Sequence, residues 1–337
     1  MVPKAPPVQH PSPQKRLSRG LALLLGACPL VCVVSAVLTL RGCMHAHSRP
    51  VGHGDVTFDV SPDGRILVFN GVGEGGRDLY SFDLESRVVT RLIYSRDYEV
   101  CPSFSPDGKH LVFTRGTPGV RADQLCVTNI VTREIYQLTS ADENVSNPVV
   151  LSDGKSVLCT IETEYRWGGL ASSWNESGEL RLIDIQTRKQ SSFKTPTATV
   201  SNLRISKDGR WIAWLADGVY VAPTSDPSKA LKVLSQAASV ALNADGSLLA
   251  ISEGNYSPDH KIFLTDRTGK KRRRISGAAT GCFDPVFSPD GKYVYFTSES
   301  WLDGPNGVST KTLMKADVAR GEVSEVAPYT LFENPSG

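Results

Sequence analysis

From about residue 55 to about residue 326 the chain sets apolar and polar positions in short bursts, and the bursts repeat. A short phrase marks each repeat. Its versions are Ser61-Pro62-Asp63-Gly64, Ser105-Pro106-Asp107-Gly108, Ser152-Asp153-Gly154, Ser206-Lys207-Asp208-Gly209, Ala244-Asp245-Gly246 and Ser288-Pro289-Asp290-Gly291. The glycines step by 44, 46, 55, 37 and 45 residues, the spacing of propeller blades. Asp-Gly predicts a two-residue hairpin turn, since glycine takes positive φ at little cost.

Three residues before each Asp stands an apolar residue: Val60, Phe104, Val150, Ile205, Leu242 and Phe287. Four residues after it come Leu67, Leu111, Val157, Ile212, Leu249 and Val294, and six after it Phe69, Phe113, Cys159, Trp214, Ile251 and Phe296. A spacing of two is strand period, so each turn joins two strands. A third strand follows, led by Leu79, Leu125, Leu180, Val219, Ile262 and Leu313, with Asp83, Asn129, Asp184, Pro223, Asp266 and Asp317 four residues on. A more polar fourth strand closes each unit, as in Val88–Leu92 and Glu322–Val326. The pattern predicts an all-β fold: a six-bladed β-propeller of four-stranded antiparallel blades over residues 55–328. Residues 329–337 read as a C-terminal tail. Blades 1 and 6 each hold their own four strands, which predicts closure by packing without a shared strand.

The N-terminal residues change the picture. Leu21 to Leu40 is twenty residues without a charge, about the ~20 that cross a bilayer as a helix. Lys15, Arg16 and Arg19 precede it, so the positive-inside rule places residues 1–20, a proline-rich disordered tail, in the cytoplasm. The expectation is one transmembrane signal-anchor at 21–40, a juxtamembrane linker at 41–54, and a propeller held in the periplasm or outside the cell. Leu25-Gly26-Ala27-Cys28 and Leu40-Arg41-Gly42-Cys43 each resemble a lipoprotein cleavage box, so a lipoprotein and a secreted form stand as alternatives. Beyond residue 41 the chain holds 32 basic and 35 acidic residues, a net charge of about −3. That argues against nucleic acid as a partner.

Pro102-Ser103-Phe104-Ser105-Pro106-Asp107-Gly108 followed by Leu111-Val112-Phe113 resembles the WD-like repeat of TolB-type propellers. Asp284-Pro285-Val286-Phe287-Ser288-Pro289-Asp290-Gly291 matches it as closely. The resemblance covers all six units, with drift in blades 4 and 5. There Pro223 replaces the acidic residue and Asn243-Ala244 replaces Ser-Pro. TolB's separate N-terminal α/β domain has no room in this chain. The resemblance implies an extracytoplasmic protein-binding propeller and carries over no catalytic residue.

Candidate chemistry is sparse. Peptidases that pair such a propeller with a serine hydrolase half need a Gly-x-Ser-x-Gly elbow, which the sequence lacks. A metal-dependent lyase would need several histidines, but only His110 and His260 fall inside the repeats. No metal and no cofactor are predicted. Cys101 and Cys282 share a repeat column in non-neighbouring blades, and Cys159 reads as a small buried hydrophobe. Lys270-Lys271-Arg272-Arg273-Arg274 reads as a solvated turn and edge strand. Two insertions, Glu164–Gly178 in blade 3 and Glu299–Lys311 in blade 6, both join second to third strands on one side of the ring. They carry Trp167, Trp174 and Trp301, residues suited to a binding surface. Asp59, Asn147, Asn202, Arg204 and Asp284 are placed at the central channel. The predicted binding set is therefore Trp167, Trp174, Trp301, Asn202, Arg204 and Asp284. The function expected is a membrane-tethered, non-catalytic module that grips a protein or cell-envelope partner. A channel-site lyase or a carbohydrate-binding sensor is the alternative.

Overall fold

The computed structural model describes residues 56–72, 76–117, 122–166, 175–255, 257–301, 309–328 and 330–333. The predicted tail, membrane segment and linker lie outside the described residues. Among the described residues no helix is long and apolar enough to cross a membrane. Those residues form six four-stranded sheets, each ordered as in the sequence and each antiparallel throughout. The innermost strands are Phe58–Val60, Tyr98–Phe104, Val145–Val150, Ser201–Ile205, Ser239–Leu242 and Cys282–Phe287. Each touches the next, and the sixth touches the first, so the ring is closed.

The repeat columns are the core. All twelve residues at the second-strand columns, from Leu67 and Phe69 to Val294 and Phe296, are 0% exposed. Each first-strand apolar residue pairs directly with its second-strand counterpart, Val60 with Leu67 and Phe287 with Val294. A blade packs both faces against neighbours, which is why these strands are apolar in near-continuous runs. The outermost strands are short, half-buried in Val89–Arg91 and exposed in Arg273–Arg274, which limits edge pairing.

The first hairpin differs from the two-residue turn expected. Gly64 N donates to Ser61 O (2.8 Å) and Ser61 N to Ile66 O (2.8 Å), leaving four residues in the loop. Pro62 fixes φ near −65°, which fits the second position of a type I turn and cannot enter a turn needing positive φ there. Gly64 then takes φ +76° and turns the chain into the second strand. The phrase also saturates itself. Ser105 Oγ donates to Asp107 Oδ1 (2.6 Å) and accepts from His110 N (2.9 Å), while Lys109 N donates to Asp107 Oδ1 (3.1 Å). Blade 3 has Leu151 in place of this serine, and Ser156 supplies the missing donor to Asp153 (2.8 Å). Blade 5 uses Asn243 Oδ1 to accept from Leu248 N (3.0 Å).

The acidic column after the third strand is explained in the same way. Asp83 Oδ1 accepts from Glu85 N (3.0 Å) and Ser86 N (2.7 Å), closing the turn to the outer strand. In blade 4, where Pro223 stands in that column, the connection is longer and contains a 3-10 turn, Pro227–Lys229.

Ring closure uses no shared strand, as expected, but the tail takes part. Thr330–Glu333 forms a helical turn, α1. Leu331 and Phe332 are buried in one cluster with Phe58, Leu67 and Phe69 of blade 1 and Tyr295, Leu313 and Val326 of blade 6. The Phe332 ring meets Phe69 edge-on, with centroids 5.3 Å apart. From blade 1, Arg87 Nη2 donates to Val326 O of blade 6 (2.9 Å). A plug of apolar side chains fills the seam that other blade junctions close with a continuous chain.

Candidate binding face and channel

First-to-second and third-to-fourth strand turns share one end of the ring, the turn end. Second-to-third connections and blade-to-blade connectors share the other, the hairpin end. At the hairpin end two blades stand out. Blade 3 pairs Ser156–Arg166 with Asn175–Asp184, and blade 6 pairs Tyr293–Trp301 with Ser309–Asp317. The second strands of the other blades run five to seven residues. In a six-membered ring blades 3 and 6 are opposite, so the two long hairpins face each other across the axis. Trp167 and Trp174 lie outside the described residues. Trp301 ends its strand opposite Ser309.

The channel residues predicted for binding mostly join blades. Cys101, Asn147, Asn202 and Asp284 occupy one column, each at positive φ between 47° and 54°. The strands of blades 2, 4 and 6 shift register there. This is a bulge, and short polar side chains tolerate that conformation better than most. The bulge lets Pro102, Pro148 and Pro285 follow in a paired strand. Asn202 Oδ1 accepts from Val240 N of blade 5 (2.8 Å), and Asp284 N donates to Ser239 Oγ (3.0 Å). Cys101 N donates to Thr57 Oγ1 of blade 1 (2.8 Å). Asn202 is thus engaged within the ring, and the sequence reading missed this because positive φ is not spelled in residue type.

Arg204 is different. Its Nη1 donates to Leu203 O (2.9 Å), and its charge reaches Asp59 of blade 1, which stands opposite blade 4. Asp59 Oδ2 accepts from Phe104 N (2.8 Å) and Oδ1 from Val60 N (2.8 Å). Burial pushes its carboxyl above the usual range, against those bonds and the charges of Lys207 and Arg204. Lys207 is exposed as a residue, but desolvation of its charge lowers it, although Asp59, Asp63 and Asp290 oppose the shift. The axis thus carries opposite charges from facing blades.

A second polar group escaped the sequence reading. At the hairpin end between blades 1 and 2, Glu99 is wholly buried and Asp78 nearly so. Arg115 Nε donates to Glu99 Oε1 (3.0 Å), as does Ser95 Oγ (2.7 Å), and Arg91 donates to Asp78. Burial raises the Glu99 carboxyl. Arg91 also lies 4.0 Å above the ring of Tyr94, which is 66% exposed. Buried Asp78 thereby fixes an exposed Tyr-Arg stack. The signal was the run from Arg91 to Glu99, where Arg91, Tyr94, Arg96, Asp97, Tyr98 and Glu99 crowd charge and aromatics into a stretch that the repeat columns leave as connector.

Among the described residues no three of His, Cys, Asp or Glu stand close enough to hold a metal. Cys126, Cys159 and Cys282 are buried thiols, the Cys159 thiol pushed up to about 12 by burial. Of the basic run, Arg272 contacts Glu253 and covers Phe263 at 4.7 Å, while Lys270, Lys271 and Arg274 are exposed.

No family model matches the chain. The Tol-Pal system protein TolB of Francisella tularensis subsp. holarctica is 26% identical over 95 residues, 28% of this chain and 22% of that protein. The matched stretch spans about a fifth of the curated relatives' length. Among solved structures, TolB from Acinetobacter baumannii superposes with TM-score 0.54 at 18% identity, over 80% of this chain and 64% of that one. The ring shares the propeller fold of TolB. Oligogalacturonate lyase from Vibrio parahaemolyticus shares the fold with TM-score 0.54 at 15% identity, over 79% of this chain and 92% of that one. A manganese complex of an oligogalacturonate lyase has the same fold.

Proposed function

We propose that this chain is a membrane-tethered, extracytoplasmic propeller that docks a protein partner on its hairpin end and performs no chemistry. One observation carries the reading: opposed blades 3 and 6 extend their hairpins at that end, while the turn end is occupied by self-saturated turns. The Tyr94–Arg91 stack on the same end adds residue types that dominate interface energetics. Likeness to TolB, a protein of the Tol-Pal system, supports a cell-envelope partner. The uncharged stretch Leu21 to Leu40 behind Lys15, Arg16 and Arg19 supports the tether.

Photocrosslinking in native membranes tests the docking face, comparing the full chain with variants lacking residues 167–174, 302–308, or both. Loss of a partner with an unchanged melting temperature supports this reading. An unchanged set of crosslinked partners rejects it. Mass spectrometry of the mature N-terminus tests the tether, since a cleaved or lipidated cysteine terminus replaces the signal-anchor.

A further inference from the structure

We propose a second site, off the ring axis: the cleft between blades 4 and 5 on the hairpin end binds a small, uncharged, polyhydroxylated ligand, a neutral sugar. The cleft measures about 400 Å³, within the roughly 300–1,000 Å³ of small-molecule sites. Its polar lining is Asp217, Ser235, Gln236, Asn255 and His260. Alanines and glycines supply the remaining wall.

His260 gives the cleft its chemistry. Its Nδ1 lies 3.2 Å from Ser252 Oγ, and Ser252 Oγ donates its single proton to Cys282 O (2.6 Å). Ser252 must then accept from His260, so the imidazole carries its proton on Nδ1 and presents Nε2 as an acceptor. The ring is held against Phe283, with centroids 4.5 Å apart. Gly254 makes the fit, since a Cβ there would stand 2.6 Å from His260 N. Burial lowers the His260 pKa, keeping the ring neutral at neutral pH.

Charge then selects the ligand class. Asp217, the one charged residue of the lining, accepts from Lys232 Nζ (2.7 Å) and Tyr220 OH (2.7 Å). The lining therefore offers no unpaired cation to an acidic ligand, and the charges of Asp259 and Glu299 that reach His260 disfavour an anion further. No lining residue is a large apolar side chain that could seat a peptide anchor. Ser235, Gln236 and Asn255 are exposed, and hydroxyl and amide groups both donate and accept. That matches adjacent sugar hydroxyls, while the alanines meet the C–H faces of the ring.

Saturation-transfer NMR on the full chain tests this with glucose, galactose, N-acetylglucosamine and their β-1,4-linked disaccharides, with galacturonate as a charged comparison. At least one neutral sugar should saturate at millimolar concentration. Asn255→Ala and His260→Phe should each weaken it by about tenfold, the worth of one directed hydrogen bond. Binding should also fall as pH drops through the imidazole pKa. Asn255 is exposed, so its variant keeps the test valid if His260→Phe unfolds. Saturation by none of the neutral sugars, preference for galacturonate, or indifference to Asn255→Ala overturns the proposal.

Discussion

At the turn end of the ring, variations on one phrase recur in all six blades, whereas the hairpin end varies from blade to blade. The turn end satisfies its own polar groups: serine to aspartate, aspartate to the next strand's N–H. Its turns also stack, with Pro62 under Gly108 and Pro289 under Gly64. The hairpin end holds what does not repeat: two long hairpins, the α1 plug, the Asp78–Glu99 group and the cleft at His260. A ring needs one end to specify blade geometry, and that end has little left to offer a partner. The other end carries the differences, and binding needs differences.

The largest effect should come from the hairpin end's single plug. Phe332→Ala removes a side chain that is 1% exposed from the only seam without a covalent connector. It should cost about 3–5 kcal/mol, read as a lower urea midpoint. A loss under about 1 kcal/mol would mean that blades 1 and 6 close without α1. Next comes the turn end. Gly209→Ala forces φ +71° on a residue with a Cβ, pressed against Ser152 Oγ. It should cost about 1–2 kcal/mol from the left-handed backbone alone. Ser105→Ala deletes the bonds to Asp107 and His110 and should cost about 1 kcal/mol. By comparison Leu151→Ser, which restores the phrase in blade 3, should gain almost nothing, because Ser156 already bonds Asp153.

These contrasts also show what the residues make legible. The repeat columns announced the core because one physical demand, burial on both faces, acts identically on Leu67, Leu111 and Leu249. The turn type was misread because Asp-Gly outweighed the proline before it, and Pro62 decides the geometry. Leu331 and Phe332 were hidden because two apolar residues after the last repeat have no period to betray them. Asn202 and Asp284 lie on innermost strands, but their role in joining blades follows from a bulge that appears only in backbone angles. Glu99 was invisible for a related reason. Its burial depends on Arg115 and Ser95, which come from a neighbouring strand and a connector.

The smallest expected effect is a slope, and it separates the two ends most cleanly. At the turn end, hydrogen bonds from Ser61, Ser105 and Ser288 hold Asp63, Asp107 and Asp290 below their usual 3.8. Their contribution is present above that value and is lost as pH falls through the folded pKa. At the hairpin end burial raises Glu99 above its usual 4.5. The folded state then binds the proton more tightly than the unfolded chain, so its contribution falls as pH rises from 4.5 through the folded pKa. Urea midpoints measured from acid to neutral pH should therefore move in opposite senses in two variants. Wild type should lose ground to Glu99→Gln as pH rises through that window, and should lose its advantage over Asp107→Asn as pH falls below 3.8. If Glu99→Gln tracks wild type at every pH, Glu99 holds its proton no more tightly in the folded than in the unfolded chain, and the hairpin end differs from the turn end in shape alone.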